Sequence, residues 1–477
     1  MSNTRIITGF GLVLSALIYS ACSTPFMGRK TENRTVPAAY SLQKDSLNSG
    51  KIKWKEFFTD PKLAALIDTA LKNNQELNIM LQDINIAKNE VRGRKGAYLP
   101  YLGVGAGAGV DKVGLYTSRG ASDAANDILP GKKVPDVLPD YVIGVNLSWE
   151  VDIWKKLRNA KKAAIYKYLA SSEGKNFMVT RLVAEIANSY YELMALDNQL
   201  DILRKNIAIQ QDALEIVKLE KNAAKVTELA VRKFEAEVLK NQSHQFAIMQ
   251  QITETENRIN FLVGRFPLPV ERNSTGFTDL VPDSMHAGVP SQLLENRPDI
   301  RQAERELVSA KLDVKVTKAE FYPTLTIRAG GGYNAFNPAY LITTPQSLIF
   351  SLAGELMAPL INRNAIKANY YSANSRQIQA VYNYERTILN AYIEVTNQLS
   401  NISNLKKSYD LKSKQVEALT RSIDISTGLF KSARADYMEV MLTQRDALES
   451  KFELIETKKQ QMNAMVNIYQ ALGGGWN

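Results

Sequence analysis

Apolar residues recur at every seventh position along two long stretches of the chain. From Val179 the series runs Ile186, Leu193, Leu200, Ile207, Leu214; from Ile388 it runs Val395, Ile402, Tyr409, Val416, Ile423. A seven-residue repeat held over this distance predicts helices that supercoil left-handed against partners. No proline interrupts residues 141–266 or 361–472, and each helical pattern holds one glycine, Gly174 or Gly428. A helix from Lys155 to about Glu220 would be on the order of 100 Å long at 1.5 Å per residue, several times the usual globular length. Each rod then turns, near residues 222–227 and 433–437, and returns as a second helix.

Ahead of each rod the period drops to two. Leu102, Val104, Ala106, Ala108 and Val110 alternate with four glycines, and after a polar loop over residues 111–140 the alternation resumes in Tyr141, Ile143, Val145, Leu147 and Trp149. Leu325, Ile327, Ala329, Gly331 and Tyr333, then Leu348, Phe350 and Leu352, repeat the pattern with a shorter loop. These segments predict strands at about 100–112, 141–151, 323–333 and 347–357. Trp149 and Trp154, at the junction of strand and rod, fit a membrane-interface belt or a packed core equally well.

The order strand pair, rod, turn and return helix occurs twice, in register. Placing Pro323 on Pro100 also places Ala310 on Ala87 and Val314 on Val91, and beyond the strands Leu472 and Gly473 overlie Val263 and Gly264. The expected organisation is a first repeat over 54–264, a connector over 265–290 and a second repeat over 291–477. Asp60-Pro61 and Pro298-Asp299 carry helix-start chemistry at matching places. Strands of about ten residues fit a tilted membrane-spanning barrel, which must close because no edge survives in hydrocarbon. Four strands are too few for closure, so the expected barrel is shared among copies, with three copies as a closed solution. The fold class expected is mixed α and β, mostly α.

Composition then narrows the function classes. The net charge of +10 is read as solvated helical faces, as in Lys218-Leu219-Glu220-Lys221, and nucleic acid is not expected as a partner. Two histidines and one cysteine leave no set of metal ligands, and no phosphate loop or nucleophile elbow is present. No catalytic residue, metal or cofactor is assigned. Residues 1–21, with Arg5 ahead of an apolar run, read as a signal peptide. Cys22 follows Ser20-Ala21 as in a bacterial lipoprotein site, although Tyr19 stands where an aliphatic residue is usual, and it is the candidate for lipidation. Residues 22–53 read as a polar tether.

Taken together, the order of elements resembles the outer membrane efflux proteins of the TolC and OprM type, lipoprotein branch. The resemblance rests most on Val289-Pro290-Ser291-Gln292-Leu293-Leu294-Glu295-Asn296-Arg297-Pro298-Asp299-Ile300, on Ala319-Glu320-Phe321-Tyr322-Pro323, on Leu147-Ser148-Trp149-Glu150-Val151-Asp152 and on the closing Leu472-Gly473-Gly474-Gly475-Trp476. It implies a homotrimer, an outer-membrane β-barrel continued by a periplasmic α-helical barrel, and partnership with a periplasmic adaptor and an inner-membrane transporter. It also implies outer-membrane lipid around the barrel, an acyl group such as palmitate on the cysteine, and the role of an exit duct in efflux. Protein secretion, or a soluble periplasmic scaffold, are the alternatives. Two turns become the expected adaptor contacts: Val226, Thr227, Glu228 and Leu229, and Ala435, Asp436, Tyr437 and Met438. Thr227 suits an N-cap, and Asp436 with Glu439 has capping-box spacing. Asp424, close to the second turn, is a candidate pore gate, because like charges around a narrow axis would bind cations.

Overall fold

A computed structural model describes residues 24–28, 30–40, 47–281, 286–432 and 434–476. Contacts divide the chain into two units, one from Met1–Thr31, Ile86–Tyr168 and Arg305–Val381, the other from Glu32–Asn85, Leu169–Glu304 and Tyr382–Asn477. The main elements in chain order are α1 (Pro61–Asn73), α2 (Gln75–Tyr98), β1 (Tyr101–Asp111), α3 (Ser118–Ala125), β2 (Asp127–Leu129), β3 (Lys132–Lys133), β4 (Leu138–Val151), α4 (Lys156–Asn222), α5 (Glu228–Val263), α6 (Pro298–Ala319), β5 (Thr324–Ala335), β6 (Leu348–Met357), α7 (Asn364–Lys431) and α8 (Tyr437–Ala471).

In the first unit, β1, β4, β5 and β6 form one antiparallel sheet in that order. The two hairpins join through β4 and β5, so Leu102, Leu147, Ala329 and Leu352 stand in one row across all four strands. Neighbouring rows are Val104, Val145, Gly331 and Phe350, and Gly105, Gly144, Gly332 and Ile349. The segment between β1 and β4 is not the plain polar loop expected from its composition. It folds as α3, capped by the Thr117 hydroxyl on Gly120 N–H at 3.1 Å, and the β2–β3 hairpin. No hydrophobic periodicity announces either, because neither buries an apolar face.

In the second unit the sevenfold pattern is the core. Val179, Ile186, Leu193, Leu200, Ile207 and Leu214 are all buried along α4, whereas on α7 only Ile388 and Val395 of the second series are. Around Ile186, Tyr190 and Leu193 pack Leu63 and Ile67 of α1, Ile259 and Val263 of α5, and Val466 and Tyr469 of α8. Asp60 caps α1 by accepting from Lys62 N–H at 2.8 Å, and its other oxygen takes the buried Tyr190 hydroxyl at 2.8 Å. Described residues of the segment read as a tether make specific contacts with α7. Within the first unit Gly28 and Lys30 give their carbonyls to Asn374 and Gln377; within the second, Asn33 N–H reaches Glu385 and Tyr40 stacks on Tyr392 at 5.4 Å.

Candidate channel wall and helical tips

Strand alternation gives the sheet two chemically different faces. One carries Leu102, Val104, Ala106, Val110, Ile143, Val145, Leu147, Ile327, Phe350 and Leu352. Most of these side chains are exposed, with Leu147 and Ile327 half-exposed: Val104 and Leu352 are each 79% exposed and Phe350 84%. Such a continuous exposed apolar face on a soluble surface would be an aggregation site, and an ordinary one-faced sheet would turn it to a core. The opposite face carries Gly103, Gly105, Asn146, Ser148, Arg328, Gly330, Gly332, Ser351 and Glu355, with Arg328 and Glu355 paired at 3.6 Å. One face suits hydrocarbon and the other water. Among the described residues β1 and β6 each keep one edge without a strand partner.

The two turns expected to act together lie together. Val226 and Tyr437 both pack on the small core of Leu214, Val217, Val231 and Phe234; the Tyr437 and Phe234 rings are 6.3 Å apart, and Lys233 Nζ lies 3.8 Å from Met438 Sδ. Leu229 is 59% exposed, available to a partner. Thr227 and Asp436 do occupy the N-cap positions of α5 and α8, but neither side chain makes a capping bond. Ion pairs hold the first turn instead. Glu228 lies 3.0 Å from Lys221 across the turn and 2.9 Å from Arg232, and the hydrogen bond from Lys221 with its charge holds the Glu228 carboxyl below its ordinary value. Glu228, Ala435 and Asp436 thus sit on a polar rim. Asp424 stands two turns earlier on α7, exposed and, among the described residues, without an ion pair. Cys22 lies outside the described residues.

The known sequence pattern described as outer membrane efflux protein matches residues 66–265 and 289–474. The chain belongs to the outer membrane efflux protein family. It is 27% identical over 425 residues to the pyoverdine export outer membrane protein OpmQ of Pseudomonas aeruginosa, covering 89% of this chain and 87% of that one. It is 25% identical to the probable outer membrane lipoprotein SilC of Salmonella typhimurium over 92% of this chain and 93% of that one. The fold matches that of CusC with a TM-score of 0.83 at 22% identity, over 94% and 99% of the two chains. The open-state Neisseria gonorrhoeae MtrE outer membrane channel matches equally well, at 0.83 and 21% identity, over 95% and 99%. This efflux protein is therefore an outer-membrane exit channel, in a family made up of channel proteins, and the soluble-scaffold reading is set aside.

The structure gives the family motif around Arg297 a physical role. Arg297, 4% exposed, donates to both oxygens of Asp299 at 3.0 and 2.6 Å, to Glu394 at 2.6 Å and to the Ala471 carbonyl at 2.9 Å. Burial would push this guanidinium down, but the hydrogen bonds and charge of Asp299, with Glu394, outweigh it and raise it. It thereby ties the start of α6 to α7 and to the end of α8. Arg272 does the same for the connector, bridging Asp197 through two bonds and contacting Glu256. The sequence displays Arg297 as part of a motif, and nothing in its spacing reveals Arg272.

Proposed function

We propose that this efflux protein works as a homotrimer whose three sheets close into one twelve-stranded barrel, with the long helices continuing it as a periplasmic tube. The observation that carries the reading is the four-stranded sheet with one exposed apolar face and two open edges. β1 and β6 run in opposite directions, so an edge of one copy pairs antiparallel with the edge of the next. Two copies would give eight strands, an interior just wide enough for side chains; twelve leave a lumen. A cysteine at Ala106 of β1, combined with cysteines scanned from Leu348 to Leu356 of β6, should oxidise to covalent species of up to three subunits at one register. Monomers alone, or dimers alone, would sink the assembly.

In this reading the duct is passive, and an inner-membrane transporter supplies the energy. Val226–Leu229 and Ala435–Met438 meet a periplasmic adaptor, which cysteines at Thr227 and Tyr437 should capture. Asp424 serves as a gate in the assembled tube. An Asp424→Ala channel whose conductance and cation response in planar bilayers match the parent would remove that role. Cys22 carries an acyl anchor, so labelled palmitate should enter the parent protein and not Cys22→Ser. The two halves, 54–264 and 291–477, descend from one duplicated unit. The wall does not choose the cargo: relatives named for pyoverdine, toluene and cations share the family, and selection rests with the pump. Small molecules are the cargo class this resemblance favours.

A further inference from the structure

The excess positive charge of this chain is not spread along its helices. At one end of the sheet the four strands meet helices: Tyr101 begins β1, Val151 ends β4, Thr324 begins β5 and Met357 ends β6. The ten residues beyond each of these ends, 91–100, 152–161, 314–323 and 358–367, hold eleven lysines and arginines against two acids, Asp152 and Glu320. That surplus of nine nearly equals the formal net charge of the whole chain, +10. The opposite end of the sheet carries no such surplus. Residues 112–137 hold four cations against three acids, and residues 336–347 hold no charge.

A second, independent feature lies at the same level. Trp154 is 46% exposed, stacks on Tyr322 at 4.8 Å and donates from Nε1 to the Pro323 carbonyl at 2.8 Å. Trp149 donates to the Tyr98 carbonyl at 3.4 Å, at the end of the apolar face. Half-exposed tryptophan and tyrosine at the rim of an apolar strand face mark the depth of lipid headgroups. Each segment is helical over part of its length, and even ten helical residues would span only about 15 Å, so the cations lie at headgroup level or just beneath. Arg94, Lys156 and Arg158 have acidic partners, but Arg92, Lys161, Lys315 and Lys318 form no ion pair among the described residues.

We infer that the rim where the strands meet the helices is a binding surface for anionic phospholipid headgroups in the leaflet on the helical side of the membrane. The inference rests on the membrane placement of the sheet proposed above. Two helices end at this rim and two begin there; Arg92 and Lys315 are exposed and Lys161 and Lys318 half-buried, as suits long cationic side chains whose heads seek phosphate level. Each cation near a charged membrane surface strengthens attachment roughly fivefold at low screening, and salt cuts this within about 8 Å. The rim would fix the depth of the barrel and favour anionic over zwitterionic neighbours.

The test uses the full-length protein in vesicles of phosphatidylcholine and phosphatidylglycerol in equal parts, with a spin-labelled form of either lipid reporting contact with protein. The parent protein should favour labelled phosphatidylglycerol by about tenfold, and high salt should erase most of the preference. The combined variant Arg92→Gln, Lys161→Gln, Lys315→Gln, Lys318→Gln should bring the two lipids to near equality at unchanged strand content. Lys132→Gln with Lys133→Gln, at the other end of the sheet, should leave the preference intact. Equal contact for both lipids in the parent, or an unchanged preference in the fourfold variant, overturns the assignment. So does loss of the preference on adding inorganic phosphate at constant ionic strength, which would make the surface a site for free anions. Failure to enter vesicles of any composition would instead refute the membrane placement itself.

Discussion

Three helix ends in the second unit close with the same backbone device, and one does so without glycine. At the end of α5, Gly264 has φ 76°, Arg265 N–H bonds to the Asn260 carbonyl and Gly264 N–H to the Phe261 carbonyl. Gly473 repeats this after α8 with φ 87°. At the first tip Ala224 takes the left-handed position with φ 58°, while Lys225 N–H reaches Glu220 and Ala224 N–H reaches Lys221. A Cβ in that region costs roughly 1–2 kcal/mol, which glycine avoids at some entropic loss in the unfolded chain. Ala224→Gly should therefore stabilise the tip by about 0.5–1 kcal/mol, read as a rise in the guanidinium midpoint of the solubilised protein; a fall would mean that the Ala224 methyl makes a contact worth more than the strain. The Glu228 carboxyl offers a second check. Its folded pKa lies below the unfolded one because of Lys221 and then Arg232, so the ion pairs favour the ordered turn at neutral pH and fade as pH falls through the lowered value, beneath the ordinary 4.5. A spin label at Lys225→Cys should gain mobility in that acid window, and Glu228→Gln should be mobile already at neutral pH with no further acid step. A label that stays ordered in both would assign the turn to Phe234 packing alone.

At the scale of elements, glycine does two unrelated things in the sheet. A Cβ on Gly332 would stand 2.2 Å from the Ile143 carbonyl and 2.5 Å from Gly144 Cα, so β4 and β5 approach each other only because both lack side chains there. Gly105, in the same row, has open space where its Cβ would be. Gly332→Ala should cost about 2–3 kcal/mol through forced strand separation, seen as a lower melting temperature of the solubilised channel, while Gly105→Ala should change it little. Equal melting of the two variants would show that the strands can part without cost. This distinction was not legible in the sequence, where the glycines of β1 and β5 read alike as strand positions with small side chains. The long helices and the strands were legible, because sevenfold and twofold periods carry their partners' geometry within them. Elements without a period were not: α3 with the β2–β3 hairpin, the contacts of Gly28, Lys30, Asn33 and Tyr40 with α7, and the bonds of Arg272 to Asp197 and Glu256. Thr227 and Asp436 stand at the N-caps as their residue types suggest, yet neither side chain caps: ion pairs of Glu228 hold the first turn, and at the second Glu439 N–H bonds to the Asp436 carbonyl. The charge surplus at the strand ends was present in the sequence all along, and averaging it over the helices concealed it.

For the whole molecule, the assignment of the two sheet faces decides between a membrane channel wall and any other use of the same strands. Adjacent residues of β6 provide the cleanest comparison, because Leu352 and Ser351 share a strand, a depth and a backbone environment and differ in the face they take. Leu352 stands in the row of Leu102, Leu147 and Ala329, and Ser351 in the row of Gly103, Asn146 and Gly330. An arginine facing hydrocarbon near mid-depth costs about 2–4 kcal/mol, and in the proposed three-copy barrel that cost would arise three times. Leu352→Arg should leave little assembled protein in the outer-membrane fraction. Ser351→Arg should assemble at parental levels, because its guanidinium reaches water in the lumen, and should shift single-channel ion selectivity toward anions. If both variants assembled and conducted like the parent, neither face would be lipid-bound and the barrel would fail as an explanation. If Ser351→Arg were the one lost from the membrane, the faces would be inverted, and the glycine-lined side would have to be the one that meets lipid.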